Sequence, residues 1–521
     1  MPDNTRSCSP DGAGCLFKRL SAAFADMRLT ITLLCLGVAL LFFATLTGAA
    51  YGEELSSQAY FGSLIAIWQY PAEWPAGHVL STFWLPLPGA PLLAAAALLN
   101  LLFAGWKNRR RAHGLSGIGL ALTHVGVLTV LAGYAVLLFS GSVHATPVVV
   151  SGSALIVVGL VLHFFPEFWY FISHREKAPP TAEVLSPVRQ LNRNWIFAPL
   201  MGIFVGAIAY FTYGPDKLAR IYMDTELELM PLVLYIPALA VFCIHWMRGK
   251  NSNELHRRIG FPLLSAAITM HTILPTALAF IRMRPPVTDL HSTLIVAGWV
   301  GALLAYYVER QRKDGIAGSA AVIIGTVTLL FSHFCATADF SGALNPMIDS
   351  RLWLALHVCT ITAGYGAVLV AVVLANMRLV KSLAGISEDR ARGMTSAIRS
   401  ALATGLIFCT AGTLLGGLWA ERAWGRFWGW DPKENAALML VLWCAIVLHA
   451  RRGNLAGEKG FAQLAAAAGL VLAWSWVGTN LLGSGLHSYG FTQGNAWFLG
   501  IYAIAQVALI LAARKAKKQN I

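Results

Sequence analysis

The sequence is poor in charge. Only 12% of its 521 residues are Asp, Glu, Lys or Arg, against 57% hydrophobic, and the mean hydropathy is +0.61. A water-soluble fold could not bury that much apolar surface, so solubility is excluded at the outset. Cysteine is sparse and scattered. Cys8, Cys15, Cys35, Cys243, Cys335, Cys359, Cys409 and Cys444 include no C-x-x-C pair. That excludes a disulfide framework and a thiolate zinc site, and most of these residues read as packing groups inside apolar segments. No polar stretch is long enough for a soluble domain, and no internal repeat is visible. The formal net charge of +14 does not indicate nucleic acid, because its basic residues fall in short loops between apolar runs.

What the sequence does have is apolar runs of spanning length, about 18–25 residues each. They predict an all-α, polytopic integral membrane protein with about 14 transmembrane helices. The expected spans are 28–50, 85–105, 118–140, 148–172, 195–213, 230–247, 259–281, 289–308, 318–334, 353–375, 401–418, 432–450, 461–477 and 496–513. Alternate loops hold nearly all the basic residues. The opposite loops hold only Lys217, Arg220, Arg282, Arg284, Arg351, Arg422, Arg426 and Lys433 of the 39 Lys and Arg. The positive-inside rule therefore puts both termini in the cytoplasm. The first span ends in Thr47-Gly-Ala-Ala50, which faintly resembles a cleavage site, but its apolar run is too long for a signal peptide and it reads as retained. In the first outer loop, residues 60–68 are expected to form an amphipathic helix lying in the lipid interface.

The segment from Trp419 to Glu434 packs Trp419, Trp424, Trp428 and Trp430 between two spans, on the outer face by the charge bias. Interfacial indoles can serve only as a membrane belt. Glycines between Trp424, Trp428 and Trp430 favour a second reading, an aromatic platform that lets a flat partner approach the backbone closely. Asp431-Pro432-Lys433-Glu434 carries the N-cap, N1 and N3 residues of a capping box, so the next span should start there. An outward helix N-terminus also suits a propionate or another anion.

Of the 14 histidines, four have informative settings. His357 and His487 fall near the outer face, His124 and His449 toward the inner face. A pair of neutral imidazoles can hold haem iron from both sides, while a lone membrane histidine more often bonds a neighbouring helix. His271 and His333 lie in spans and could be packing groups or secondary sites, and His291 carries no assigned role.

These residues, taken together, resemble a known family. Trp424-Gly-Arg-Phe-Trp428-Gly-Trp430-Asp431-Pro-Lys-Glu434 is similar to the WWD motif of haem-handling proteins in cytochrome c biogenesis. Leu448-His449-Ala-Arg, Asn480-Leu-Leu-Gly-Ser-Gly-Leu-His487, the stretch from Asn345 through Trp353 to His357, and Arg284-Pro-Pro-Val-Thr-Asp-Leu290 resemble its CcsA (ResC) branch. Thr123-His124-Val-Gly resembles, more loosely, the spans of the CcsB (ResB) partner, as in a shortened CcsBA fusion. The implied organisation is a cytoplasmic tail at 1–27, CcsB-like spans at 28–213, and a haem-handling domain at 214–521 with its WWD loop at 419–434. The large outer domain usual in that partner has no counterpart here, since Gly141–Pro147 and Gly214–Glu228 are short.

The resemblance implies a cytochrome c synthetase (haem lyase) in the bacterial cytoplasmic membrane, acting alone or only as part of a complex. Haem b would be its substrate. His124 and His449 would form an inner iron-ligating pair, and His357 and His487 an outer, catalytic pair. Trp419, Trp424, Trp428, Trp430 and Asp431 would bind the macrocycle. The implied partners are apocytochrome c with its C-x-x-C-H site, a CcsB-like soluble domain or subunit, a thioredoxin-like thiol reductant, and membrane lipid. Delivery of haem to a separate ligase, as in CcmC proteins, is the main alternative. A solute transporter or a b-type electron carrier fits less well, because repeats are lacking and the four histidines sit on different segments.

Overall fold

The computed structural model describes residues 21–108, 114–140, 145–173, 197–248, 255–313, 315–335, 350–384, 388–485 and 496–515. Among these, 13 helices are long and apolar enough to cross a membrane, and a further helix carries the shorter apolar stretch Ala90–Gly105. The all-α, multi-pass architecture expected from hydropathy is the one the chain adopts. In chain order the long helices are α1 (Met27–Tyr51), α2 (Ala90–Asn108), α3 (Gly114–Ser140), α4 (Ala145–Ser173), α5 (Phe197–Asp224), α6 (Leu232–Arg248), α7 (Phe261–Arg282) and α8 (Leu290–Arg312). They continue with α9 (Ile316–Cys335), α10 (Arg351–Leu383), α11 (Glu388–Trp424), α12 (Pro432–Arg452), α13 (Glu458–Ala473) and α14 (Ala496–Lys515).

The chain divides into two compact units. One comprises Met1–Pro166 with His449–Leu455, the other Glu167–Leu448 with Ala456–Ile521. In the first unit, α3 and α4 meet through small residues. A Cβ on Gly119 would stand 2.6 Å from the Gly159 carbonyl oxygen, and one on Gly126 2.5 Å from that of Gly152. Membrane helices have no hydrophobic drive toward each other, so close backbone approach along such a stripe supplies their packing.

The outer loop of the first unit differs from expectation. Residues 60–68 do not form one amphipathic helix. A π-turn at Ser57–Phe61 leads into strand β1 (Ile65–Gln69), which pairs antiparallel with β2 (Trp84–Pro88). The segment Ile65-Ala-Ile-Trp-Gln alternates exposed and buried positions, and its β-branched and aromatic residues fit a pleated, half-buried surface. Pro86 and Pro88 lie in β2. Their missing N–H groups keep this stretch out of a helix, so the span expected from 85 starts as a helix only at Ala90.

In the second unit, α8, α9, α10 and α13 carry much of the buried core, with Ile295, Ala297, Ala320, Val322, Val368, Ala371, Phe461 and Ala465 all inaccessible. His271, His291 and His333 act here as ties between structural elements. His271 hydrogen-bonds Tyr235 of α6 at 3.2 Å and the Ile295 carbonyl of α8 at 3.1 Å. His291 bonds the Tyr222 hydroxyl at 3.2 Å and the Ser332 hydroxyl at 3.0 Å. His333 meets Glu228 at 3.2 Å. The expected outer loop at 214–228 is mostly helical. At Gly214 the backbone turns to φ 72°, ψ 169°, and Pro215 then restarts the helix, which runs to Asp224.

The tryptophan-rich segment also needs a correction. Trp419 to Trp424 are the final turns of α11 rather than loop, because no residue breaks the helix before Gly425, whose φ of 69° ends it. The irregular stretch is 425–431.

Candidate functional site

α10, α11, the 425–431 loop and α12 meet around a cavity in the second unit. Leu290 and Thr293 of α8 and Trp476 and Asn480 after α13 close its wall. It is lined by His357, Val358, Ile361 and Tyr365 of α10, and by Gly416, Gly417 and Trp419 of α11. Trp428 comes from the loop, and Lys433, Glu434 and Ala437 come from α12. Val287, Thr288 and Asp289 belong to the Pro-Pro loop before α8.

His357 is the one imidazole among the described lining residues. Its Nδ1–H donates to the carbonyl oxygen of Gly412 on α11 at 2.8 Å. A neutral ring so engaged carries its lone pair on Nε2, the nitrogen that could ligate a metal. Such a bond fixes tautomer and ring orientation together. The ring also lies 5.8 Å from that of Trp419. Gly416 makes room for it, because a Cβ there would fall 2.6 Å from His357 Cε1.

The loop is pinned by a reciprocal capping arrangement at the start of α12. Asp431, 1% exposed, accepts the Lys433 amide at 2.8 Å. Glu434 reaches back to the amides of Gly429 at 2.7 Å and Asp431 at 3.2 Å. Trp430 sits at φ 60°, a left-handed conformation costly for a bulky residue, and Asn435 Nδ2 holds its carbonyl at 2.9 Å. The helix start was legible in the sequence. At the helix start itself Pro432 has no N–H and the Lys433 amide is taken by Asp431.

The four tryptophans do different things. Trp419, 5% exposed, packs with Leu354, Trp353 and Trp424 between α10 and α11, and it borders the cavity. Trp428 also borders it. Trp424 and Trp430 are not among the lining residues. The Trp428 and Trp430 rings stand edge to face at 81°, with centroids 5.9 Å apart, so they do not make one flat shelf.

Residues that sequence reasoning passed over complete the wall. α13 ends in a π-turn, Trp474–Gly478. Lys433 Nζ donates to two of its carbonyls, Ser475 at 3.3 Å and Trp476 at 2.9 Å. Arg282 holds Asp289 at 2.6 Å and donates to Thr288 at 3.0 Å. The Arg284–Leu290 and Asn480 motifs already marked these stretches in the sequence. The π-turn has no sequence signal.

Toward the other histidines, His487 lies outside the described residues. His124 of α3 donates Nδ1–H to the Leu120 carbonyl one turn back in its own helix, at 2.7 Å, which again leaves the lone pair on Nε2. Nearby in the same unit, His163 Nε2 accepts from Arg452 at 3.3 Å, and its Nδ1–H donates to the Ser116 carbonyl at 2.8 Å. Arg452 follows His449 by three residues, so this bond brings the end of α12 to the α3–α4 pair. His449 itself is half-buried.

A family described as Cytochrome C assembly protein matches residues 287–487, an interval that holds every described lining residue of the cavity. Cytochrome c biogenesis protein CcsA of Parasynechococcus marenigrum (strain WH8102) is 30% identical over 41% of this chain and 79% of that protein. CcsA of Synechococcus sp. (strain CC9311) is 31% identical over 41% of this chain and 80% of its own length. Protein NrfI of Wolinella succinogenes is 30% identical over 53% of this chain, which corresponds to 31% of NrfI.

Proposed function

The chain belongs to the CcsA family of cytochrome c biogenesis proteins, and from that premise we propose that its cavity binds haem b and presents it at the extracytoplasmic face for covalent attachment to apocytochrome c. One observation carries the reading. His357 is held by Gly412 with its lone pair on Nε2, on the wall of a cavity bordered by Trp419 and Trp428. Imidazole is a good ligand for haem iron, and indole faces suit a flat macrocycle.

In this reading His487 supplies the second outer ligand, and the histidine of the substrate's C-x-x-C-H site displaces one of the two. Each cysteine thiol then adds across a vinyl group. A C–S bond forms at the inner vinyl carbon, the thiol proton ends on the outer one, and no net oxidation occurs. In this reading no side chain of the protein attacks haem or thiol. Its contribution is placement of vinyl and thiol at reacting distance, which can supply about 7–11 kcal/mol. Trp424, Trp430 and Asp431 shape the loop that carries Trp428. His124 and His449 form the inner iron-binding pair through which haem enters from the cytoplasmic side. A CcsB-like subunit and a thioredoxin-like reductant of the substrate thiols are the expected partners, in a bacterial cytoplasmic membrane whose outer face carries the WWD loop.

The test is an optical spectrum of the detergent-purified chain before and after dithionite. The reading predicts bound, non-covalent haem with low-spin, bis-imidazole bands. Full maturation of a c-type cytochrome by a His357→Ala, His487→Ala double variant would remove it. If the chain with only a CcsB-like partner matures no cytochrome, haem delivery to a separate ligase replaces attachment as the function.

A further inference from the structure

The polar groups around the cavity are unevenly matched. Among the described residues, the buried indole N–H groups of Trp419, Trp428 and Trp476 meet no acceptor, and Asn480 Oδ1 on the same lining meets no donor. Indole nitrogen only donates, and a buried donor normally finds a partner. Three such donors against one such acceptor, all on residues that line one cavity, favour a ligand that brings acceptors.

The charges agree. Two carboxylates border the cavity, and both are engaged: Asp289 by Arg282 and the Ser292 amide, Glu434 by the amides of Gly429 and Asp431. Lys433 is the only Lys or Arg among the described lining residues. Its side-chain bonds to the Ser475 and Trp476 carbonyls go to neutral acceptors, and the Asp431 carboxylate is its charged neighbour.

On the rim of haem b the methyl and vinyl groups accept no hydrogen bonds. The two propionates do, and they sit on the edge opposite the vinyls. We propose that Lys433, with the indole N–H groups of Trp419, Trp428 and Trp476, forms a carboxylate anchor for the propionate edge of haem and thereby turns the vinyl edge toward the incoming thiols. The proposal rests on the haem-binding reading above and adds which way round the ring lies. Lys433 and the three indoles act as orienting residues, since none touches the reacting vinyl carbons.

The test titrates the full-length purified chain with iron protoporphyrin IX and, separately, with its dimethyl ester, following the Soret band. A His124→Ala, His449→Ala background confines binding to the outer cavity. The diacid should bind about tenfold or more tightly than the ester, in line with a charge-assisted hydrogen bond. Lys433→Met should erase that preference by weakening the diacid alone, and Lys433→Arg should largely keep it. Equal affinity for both porphyrins in the unsubstituted Lys433 protein overturns the anchor while leaving the haem site standing. So does an equal loss for both in Lys433→Met. Saturable binding of neither porphyrin overturns the haem site and the anchor together.

Discussion

His124 and His357 are both membrane-helix histidines with Nδ1 committed to a backbone carbonyl, yet they are oriented by different means. His124 uses the carbonyl of Leu120 in its own helix, so α3 alone sets the ring. His357 uses Gly412 of α11, 55 residues away, and depends on Gly416 for room. The first is a local device that survives changes in packing. The second holds only while α10 and α11 keep their register. Under the proposed function, the second arrangement suits a ligand that is exchanged against a substrate histidine, because a small shift between two helices would undo its orientation.

The comparison can be broken most forcefully at His357 itself. His357→Ala should abolish cytochrome c maturation, measured by haem staining of a c-type reporter. Next, Gly416→Val should drive a side chain into the His357 ring. Disturbed ligand orientation typically costs about 10–100-fold in metal affinity, so haem binding at the outer cavity should fall by that order, read by Soret titration in the His124→Ala, His449→Ala background.

Asn435→Leu removes the amide that holds the strained Trp430 carbonyl. A buried acceptor left unpaired costs about 1–3 kcal/mol, which should appear as a lowered Tm of the detergent-purified protein. Asp431→Ala removes the α12 cap, worth about 0.5–2 kcal/mol, and should lower the Tm by a similar or smaller amount. The smallest effect sharpens the contrast. His163→Phe breaks the contacts to Ser116 and Arg452 but leaves the Leu120 bond of His124 untouched. Iron ligation at the inner pair should therefore keep its spectrum. A lost inner-site spectrum in that variant would mean that His124 too is set by its neighbours.

The sequence made some of this legible for physical reasons. Spans follow from hydropathy alone, because lipid demands satisfied backbone groups over a fixed thickness. The start of α12 follows from Asp431, Pro432 and Glu434, since capping is settled within four residues. The Gly412–His357 bond was out of reach, because the acceptor is a main-chain carbonyl that carries no residue identity. The reach of Lys433 to Ser475 and Trp476 depends on a π-turn, which periodicity does not reveal. The hairpin at 65–88 was obscured because a short apolar run reads alike as helix or strand, and only Pro86 and Pro88 argued against the helix. The sequence also suggested one aromatic shelf, whereas Trp419 and Trp424 complete a helix and Trp428 and Trp430 meet edge to face.

The central claim is that His357 binds haem iron through Nε2. Its most direct test is chemical rescue in cells that lack their own cytochrome c maturation and express the full chain with His357→Gly and a c-type reporter. The claim predicts no haem-stained reporter without imidazole and partial recovery when imidazole is added. Full staining without imidazole would contradict it.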